Sequence, residues 1–404
     1  MNPVEHELER GTVTTPLGFR ASGVFAGIKQ NRKDMALIFS DRPAVVAGLF
    51  TTHRTPAHCI LWNREVTAQG RARALIVNAG NANACTGEAG RLDNQEMAER
   101  TAQRLGLDPR EVLVLSTGII GEPLPMDKVR AGIDAAVEAL RQDGGLEAAT
   151  AIMTTDTVPK HFSAAFEVDG VTCRIGVIAK GSGMISPNLA TMFCIFTTDL
   201  AIEQPLLQEA FRSAVEETLN RLTVDGQMST NDAAVILANG AAGNPPIREK
   251  GEAYDRFAAA LKKTALAAAR AIARDGEGAT KLVTVTVTGA ADDREAVIAA
   301  KAIADSMLVK TAIFGRDPNW GRVVQAAGAC GVQIDPQRFA VEFAGVKVAE
   351  NGGRIPFDRQ QVIAGLSQAE VDVKIDLGVG SGRAEVYTCD LTFEYITINA
   401  EYHT

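Results

Sequence analysis

The sequence predicts a layered α/β fold (α+β sheets and helices) in two lobes, and three observations support this prediction. The chain has 404 residues, which exceeds the size at which a single hydrophobic core stops growing. Strand-like and helix-like segments alternate along most of the chain, as they do where sheets and helices form separate layers. Apolar residues make up 46% of the sequence but aromatic residues only 5%, so the core is expected to consist of Ala, Val, Ile and Leu.

In the first 180 residues, short apolar or alternating runs predict strands, and a 3.6-residue period predicts helices. The strands are 73–78, 111–115, 162–168 and 171–179, and the helices are 94–105 and 126–142. A loop of small residues is expected at 79–85, and the second predicted strand, 111–115, is expected to end in a turn at Ser116-Thr117-Gly118. Asp169-Gly170, between the last two strands, is a strong hairpin signal.

The second half of the chain begins with a loop at 180–188 that contains Gly181, Gly183 and Pro187. Strands are then predicted at 191–197 and 281–288, and helices at 202–222, 252–273 and 294–307. From Phe339 onward the sequence is predicted to be mostly strand, with a small glycine loop at 378–382. No repeat of 20–50 residues is present, which excludes solenoid architectures.

Composition and charge exclude several classes of function. The net charge of −8 and the lack of a basic stripe argue against a nucleic-acid partner. We expect no membrane association, because no run of 18 apolar residues occurs and the first residues lack the apolar core of a signal peptide. The six cysteines are scattered without a CxxC pair, so we expect reduced thiols, no metal site and a cytoplasmic protein.

The segment that carries chemistry is the glycine-rich loop that delivers Thr191 to the start of a strand. Such a loop can hold a strained backbone, and Ala190 offers little bulk, so the Ala190 carbonyl and the Thr191 hydroxyl can approach for an internal acyl shift. Cleavage at Ala190–Thr191 would leave Thr191 with a hydroxyl nucleophile and a free α-amine. An α-amine titrates near neutral pH, at about 7.7–8.0, and can therefore act as general base for its own hydroxyl.

The run 183–199 (GMISPNLATMFCIFTTD) resembles the cleavage-site signature of the ornithine acetyltransferases, also called glutamate N-acetyltransferases. Further blocks in family order extend this resemblance over essentially the whole chain. They are 23–29 (GVFAGIK), 78–83 (NAGNAN), 116–121 (STGIIG), 153–160 (MTTDTVPK), 229–232 (STND), 276–281 (GEGATK), 315–322 (GRDPNWGR) and 398–404 (INAEYHT).

The resemblance implies a self-processing fold of the kind found in N-terminal-nucleophile acetyltransferases and aminopeptidases, cut into an α chain, 1–190, and a β chain, 191–404. It implies that Thr191 is acetylated as an ester in a ping-pong cycle that moves acetyl from N2-acetylornithine to glutamate in arginine biosynthesis. Thr117 and Gly118 would form the oxyanion hole, through a side-chain hydroxyl and a backbone N–H respectively.

The resemblance also implies a substrate site and an assembly. The substrate-binding residues would be Thr154, Lys180, Thr191, Glu277, Asn399 and Thr404. Lys180 can pair a carboxylate and Glu277 can hold an ammonium group, which suits amino-acid substrates. No cofactor is implied, acetyl-CoA stays open as a second donor, and the two chains are expected to form a heterotetramer of two α and two β chains.

Two other classes of protein stay open as alternatives. A self-processing aminopeptidase or amidase would use the same nucleophile, with water as the acceptor. A nucleotide-binding protein is disfavoured, because no GxxxxGK[ST] motif occurs and Gly378–Gly382 lacks the GxGxxG spacing. For the block 315–322 we favour a structural role, in which Asp317 and Arg322 form an ion pair and Trp320 belongs to the core.

Overall fold

The architecture is taken from a computed structural model that describes residues 8–186 and 192–401. Its strands are β1 (Leu8–Glu9), β2 (Phe19–Val24), β3 (Met35–Phe50), β4 (Arg71–Asn81), β5 (Val112–Ile119), β6 (Lys160–Val168), β7 (Val171–Lys180), β8 (Phe193–Thr198), β9 (Ala233–Ala238), β10 (Leu282–Ala290), β11 (Ala340–Phe343), β12 (Val346–Glu350), β13 (Gly353–Arg354), β14 (Glu370–Asp376) and β15 (Gly382–Cys389). Its α-helices are α1 (His58–Ala68), α2 (Gly87–Leu105), α3 (Met126–Glu138), α4 (Gly145–Ala151), α5 (Gln204–Glu217), α6 (Glu252–Arg274), α7 (Asp293–Asp305), α8 (Met307–Phe314), α9 (Trp320–Ala329), α10 (Arg359–Leu366) and α11 (Phe393–Glu401).

The larger sheet has nine strands within the described ranges, in the order β1-β6-β7-β8-β9-β3-β4-β5, with β2 paired to β3. Its central pair, β8 and β9, is parallel, and Phe193 lies opposite Ala233. On the other side β8 is antiparallel to β7, where Phe193 lies opposite Lys180. The start of β8 therefore lies beside the end of β7, which carries a predicted site residue.

Helices cover both faces of this sheet. Successive residues of β8 alternate between the two cores: Phe193 and Ile195 pack with α1–α4, whereas Cys194 and Phe196 pack with α5 and α6. This alternation follows from the two-residue side-chain period of a strand. Since both faces are buried, β8 and β9 are apolar throughout, as central strands of a helix-covered sheet are.

The smaller sheet has the order β13-β12-β11-β14-β10-β15 and packs against α7–α10 around a third core. Tyr387 and Cys389 at the end of β15 join the core of α6 instead, so α6 packs against both sheets. The α/β layering predicted from the sequence is confirmed, and the chain passes from one sheet to the other between α6 and β10. The strands that precede and follow the proposed cut in the sequence, β7 and β8, both belong to the larger sheet.

Several element predictions need correction. The strand predicted at 111–115 continues to Ile119, because β4 also continues to Asn81 and keeps pairing with it; the loop predicted at 79–85 and the turn after residue 115 therefore begin later. The helix predicted at 202–222 is α5 followed by a short 3₁₀ turn, Leu219–Arg221. The region after Phe339 contains two helices, α10 and α11, in addition to its strands.

The predicted ion pair between Asp317 and Arg322 is wrong. Arg322 donates instead to the Leu308 carbonyl, at 2.7 Å, and the nearest cation of Asp317 is Arg359, at 3.7 Å. Trp320 packs against the third core, as expected for a structural block. None of the helices described is both long enough and apolar enough to cross a bilayer.

Candidate active site

A cavity of about 270 Å³ lies where the ends of several elements of the larger sheet meet. The residues that line it come from β5, the loop after α4, the end of β7, the segment before β9, the loop after α6, and α11. They are Ala82, Thr117, Gly118, Ile119, Ile120, Thr154, Thr155, Lys180, Gly183, Met184, Ser229, Thr230, Asn231, Glu277 and Asn399.

The β5 wall of the cavity is shaped by Gly118. Its φ is +134°, and a Cβ built there would lie 2.3 Å from the carbonyl carbon of Gly80 on β4. Only glycine fits this close approach, and the register between β4 and β5 becomes irregular at the same point. Thr117, which precedes it, is buried and also lines the cavity.

Asn231, in the segment just before β9, supports this wall. Its side-chain amide donates to the carbonyl of Ser116 and to the carbonyl of Ala82, both at 2.7 Å. The two bonds hold the β5 segment and the end of the 78–83 block in a fixed position relative to β9. Asn231 is therefore a structural part of the site that the sequence analysis noted only as one residue of a family block.

Lys180 supplies a cation to the cavity. It is 1% exposed, and no described residue is hydrogen-bonded to its ammonium group. Burial lowers the pKa of Lys180 below its usual value, while Asp156, Asp232 and Glu277 act in the opposite direction. A buried ammonium group to which none of the described residues is hydrogen-bonded suits an anionic ligand such as a carboxylate.

Glu277 and Asn399 form the opposite side of the cavity. The Asn399 amide donates to Glu277 Oε2 at 2.8 Å and also to the Tyr395 carbonyl at 2.9 Å. A Cβ on Gly183 would lie 2.3 Å from the same Glu277 carboxylate, so a larger residue there would displace the Glu277 side chain. Asn399 orients one oxygen of Glu277, and the other oxygen is available to a ligand cation.

Thr154 is held by a buried carboxylate. Its backbone N–H donates to Asp156 Oδ2 at 3.0 Å, and Gly181 N–H donates to Asp156 Oδ1 at 2.8 Å. Although burial opposes ionisation, Lys180 and Lys160 lower the pKa of Asp156 below its usual value, so it carries a negative charge.

Asp232 lies beside the start of β8 and is fully buried. Its two carboxylate oxygens accept no hydrogen bond from the described residues. Burial raises the pKa of Asp232 well above its usual value, and the nearby Lys180 offsets this only in part. Burial thus favours the neutral form of Asp232, which lies next to the residue that follows Thr191.

Comparison with known proteins identifies the family. The ArgJ family model matches residues 20–404. The chain belongs to the ArgJ family. The arginine biosynthesis bifunctional protein ArgJ of Caldanaerobacter subterraneus is 45% identical over 98% of this chain and 100% of its own length. The protein of the same name from Geobacter sulfurreducens is 47% identical over 96% of this chain and 99% of its own length.

Two solved structures are also similar. A crystal structure of arginine biosynthesis bifunctional protein ArgJ from Bacillus halodurans is 39% identical, covers 52% of this chain and 98% of its own, and has a TM-score of 0.50. A structure of ornithine acetyltransferase complexed with ornithine from Mycobacterium tuberculosis is 45% identical over 45% of this chain and 98% of its own, with a TM-score of 0.43.

In this ArgJ family member, the cavity brings together six of the predicted site residues from five separate segments. They are Thr117, Gly118, Thr154, Lys180, Glu277 and Asn399. Ala190, Thr191 and Thr404 lie outside the described residues. Ser229 and Thr230, which also line the cavity, and the buried Asp156 were not predicted as site residues, although they belong to the blocks 229–232 and 153–160. In the described ranges, no group of three or more His, Cys, Asp or Glu side chains forms a potential metal site.

Proposed function

We propose that this ArgJ family member transfers acetyl from N2-acetylornithine to glutamate in arginine biosynthesis, with Thr191 as the covalent nucleophile. The observation that carries the proposal is the cavity itself, which is lined by Thr117 and Gly118, by the buried Lys180 and by the Glu277 carboxylate that Asn399 orients. The names of the relatives, which are arginine biosynthesis bifunctional proteins, agree with it.

Self-cleavage at Ala190–Thr191 is the first step of the proposal. Phe193, the first residue of β8, pairs with Lys180 on one side and with Ala233 on the other, so the start of β8 is fixed beside the cavity. Thr191 comes two residues earlier in the sequence. The match to the Bacillus halodurans chain covers 98% of that chain but only 52% of this one. That chain therefore has about half the length of this one, as expected for one of two cleavage products. The products here would be 1–190 and 191–404.

The transfer then follows from the groups in the cavity. The Thr191 hydroxyl attacks the acetyl carbonyl of acetylornithine and gives its proton to the Thr191 α-amine. The Thr117 hydroxyl and the Gly118 N–H stabilise the oxyanion of the tetrahedral intermediate. The C–N bond then breaks, ornithine leaves with the proton, and Thr191 holds acetyl as an ester. The glutamate amine attacks this ester and regenerates the hydroxyl.

One pocket must accept ornithine and glutamate in turn, because Thr191 can hold only one acetyl group. The buried Lys180 ammonium suits the carboxylate that both substrates share, and the Glu277 carboxylate suits an ammonium group. Thr154 and Thr404 complete the proposed binding set. A dry pocket of a single charge would reject one of the two side chains, since an unpaired buried charge is costly.

Further parts of the proposal concern donor, assembly and location. The bifunctional names of the relatives favour acetyl-CoA as a second donor, used as a substrate, with no resident cofactor. We propose a heterotetramer of two α and two β chains in the cytoplasm, with no nucleic-acid or membrane partner.

Mass spectrometry and steady-state kinetics test the proposal together. Denatured protein should give two polypeptides, of 190 and 214 residues, which together account for the 404-residue chain. Initial rates with both substrates should give parallel double-reciprocal lines, and labelled acetylornithine alone should leave about one acetyl on each Thr191 chain. Intersecting lines without trapped acetyl would indicate direct transfer, and release of acetate without transfer to glutamate would indicate the amidase alternative.

A further inference from the structure

A buried ion network lies directly behind the cavity and contributes no lining residue to it. Its centre is Asp156, whose side chain is fully buried and which belongs to the loop after α4. One Asp156 oxygen accepts from the Thr154 N–H, and the other accepts from the Gly181 N–H. A single carboxylate thus joins the loop that carries Thr154 to the strand end that carries Lys180.

Lys160 extends the network to a third segment. Its ammonium donates to Asp156 Oδ1 at 2.7 Å and to Asp275 Oδ2 at 2.5 Å, and its side chain is 1% exposed. Asp275 precedes Glu277 by two residues, and the Glu277 N–H in turn donates to the Ser182 carbonyl at 3.1 Å. The segments that carry Thr154, Lys180 and Glu277 are therefore connected through charged groups that have almost no access to water.

The network also sets the charge balance around Lys180. Lys180 is influenced by Asp156, Asp232 and Glu277, which favour its protonated form, and by Lys160 and Lys29, which disfavour it. Asp156 is the strongest of the favourable groups, and it acts against the cost of burial. Neutralising Asp156 should lower the pKa of Lys180, and neutralising Lys160 should raise it.

We propose that Asp156 is a positioning residue for acetyl transfer and that Lys160 fixes it, so that the Asp156–Lys160–Asp275 network holds Thr154, Lys180 and Glu277 in one arrangement without touching the substrate. This inference rests on the function proposed above. Asp156 and Lys160 precede the proposed cut and Asp275 follows it, so the same network would also join the two cleavage products.

The test uses two neutral, similarly shaped substitutions in the full chain, Asp156→Asn and Lys160→Gln. Both should lower kcat/KM for acetylornithine by about 10- to 100-fold, because a small misplacement of binding groups carries a cost of that order. In this proposal the substrate carboxylate binds the Lys180 ammonium, so the loss of that proton should set the alkaline limb of the kcat/KM profile. We expect it to move to lower pH in Asp156→Asn and to higher pH in Lys160→Gln.

Asp199→Asn is the matched control. Asp199 is also fully buried and accepts two backbone N–H groups, from Leu17 at 3.0 Å and Arg174 at 2.7 Å, but it lies at the far end of β8. Its variant should keep the wild-type pH profile even where it loses stability. Asp199→Asn therefore shows what a loss of stability alone does to the kinetics, and a shifted alkaline limb in the network variants cannot be attributed to weaker folding.

The outcomes separate this inference from the proposed function. If the wild-type protein transfers acetyl but both network variants keep its rate and its alkaline limb, the positioning role is overturned. If Asp156→Asn does not fold, the direction of the shift in Lys160→Gln decides the question by itself. If the wild-type protein transfers no acetyl to glutamate, the proposed function fails first.

Discussion

Replacing Thr117 by Val removes the one hydroxyl that is proposed to stabilise the oxyanion. Val has nearly the shape of Thr, and Thr117 is only 2% exposed. Its hydroxyl is hydrogen-bonded to no residue in the ranges 8–186 and 192–401, so the substitution breaks no internal bond there. We therefore expect the free energy of unfolding to change by less than about 1 kcal/mol.

The expected effect on catalysis is much larger. Removing one oxyanion donor costs about 2.7–4 kcal/mol of transition-state stabilisation, which corresponds to a fall in kcat of about 10²–10³-fold. KM should change little, because the hydroxyl acts on a charge that develops only after binding. A residue that only bound the ground state would raise KM and leave kcat unchanged.

The assay combines steady-state acetyl transfer with urea unfolding on the same preparation. Because cleavage passes through a similar oxyanion, rates should be expressed per chain that begins at Thr191, counted by mass spectrometry. Thr117→Ser is the matched control, since it keeps the hydroxyl and loses only a buried methyl group. The reasoning is refuted if Thr117→Val retains kcat within about threefold of wild type, an effect too small for a lost transition-state donor.

Three further predictions concern the nucleophile, the β5 wall and the buried acid. Thr191→Ala should abolish both cleavage and transfer; an active or cleaved Ala variant would exclude Thr191 as the nucleophile. Gly118→Ala should lower the free energy of unfolding by at least about 2 kcal/mol, because its Cβ meets the Gly80 backbone at an unfavourable φ; unchanged urea unfolding would contradict this. The pKa of Asp232 is raised in the folded state, so its contribution to stability is present below the ordinary carboxylate pKa of 3.8 and is lost as pH rises toward the raised value. Asp232→Asn should therefore gain stability relative to wild type as pH increases, and a stability difference that does not vary with pH would argue against a neutral Asp232.

The sequence predicted β4 to β8 of the larger sheet, because these strands are apolar or alternating runs bounded by clear turns, but it did not predict β9. The hairpin of β6 and β7 and the helix α6 were found nearly to the residue. In contrast, β3 was missed. Pro43 and two charged residues interrupt its apolar pattern, and the pairing of β3 with β4 is irregular between Phe39 and Ala44. A proline inside a run normally argues against a strand, and only the neighbouring strands overcome that preference here.

The helix α11 shows why part of the site could not be derived from local patterns. Its residues 393–398 are rich in aromatic and β-branched side chains, which favour strand, and none of its side chains is buried. The helix is positioned by long-range bonds instead: Thr392, just before it, donates to the Gly278 carbonyl, and Asn399 donates to Glu277. Asn399 entered the predicted site only through the family resemblance.

The same reasoning applies to Asp156, which no local pattern marks as special. Its proposed role depends on hydrogen bonds from residues 154, 160 and 181, and the ammonium group of Lys160 also donates to Asp275. Each of these residues alone resembles an ordinary loop or strand residue. A buried carboxylate is stable only when such partners neutralise it, so the fold that brings them together also determines its charge. The charge state of Lys180, and with it the ability of the cavity to hold a substrate carboxylate, is therefore a property of the assembled sheet and not of the segment that contains Lys180.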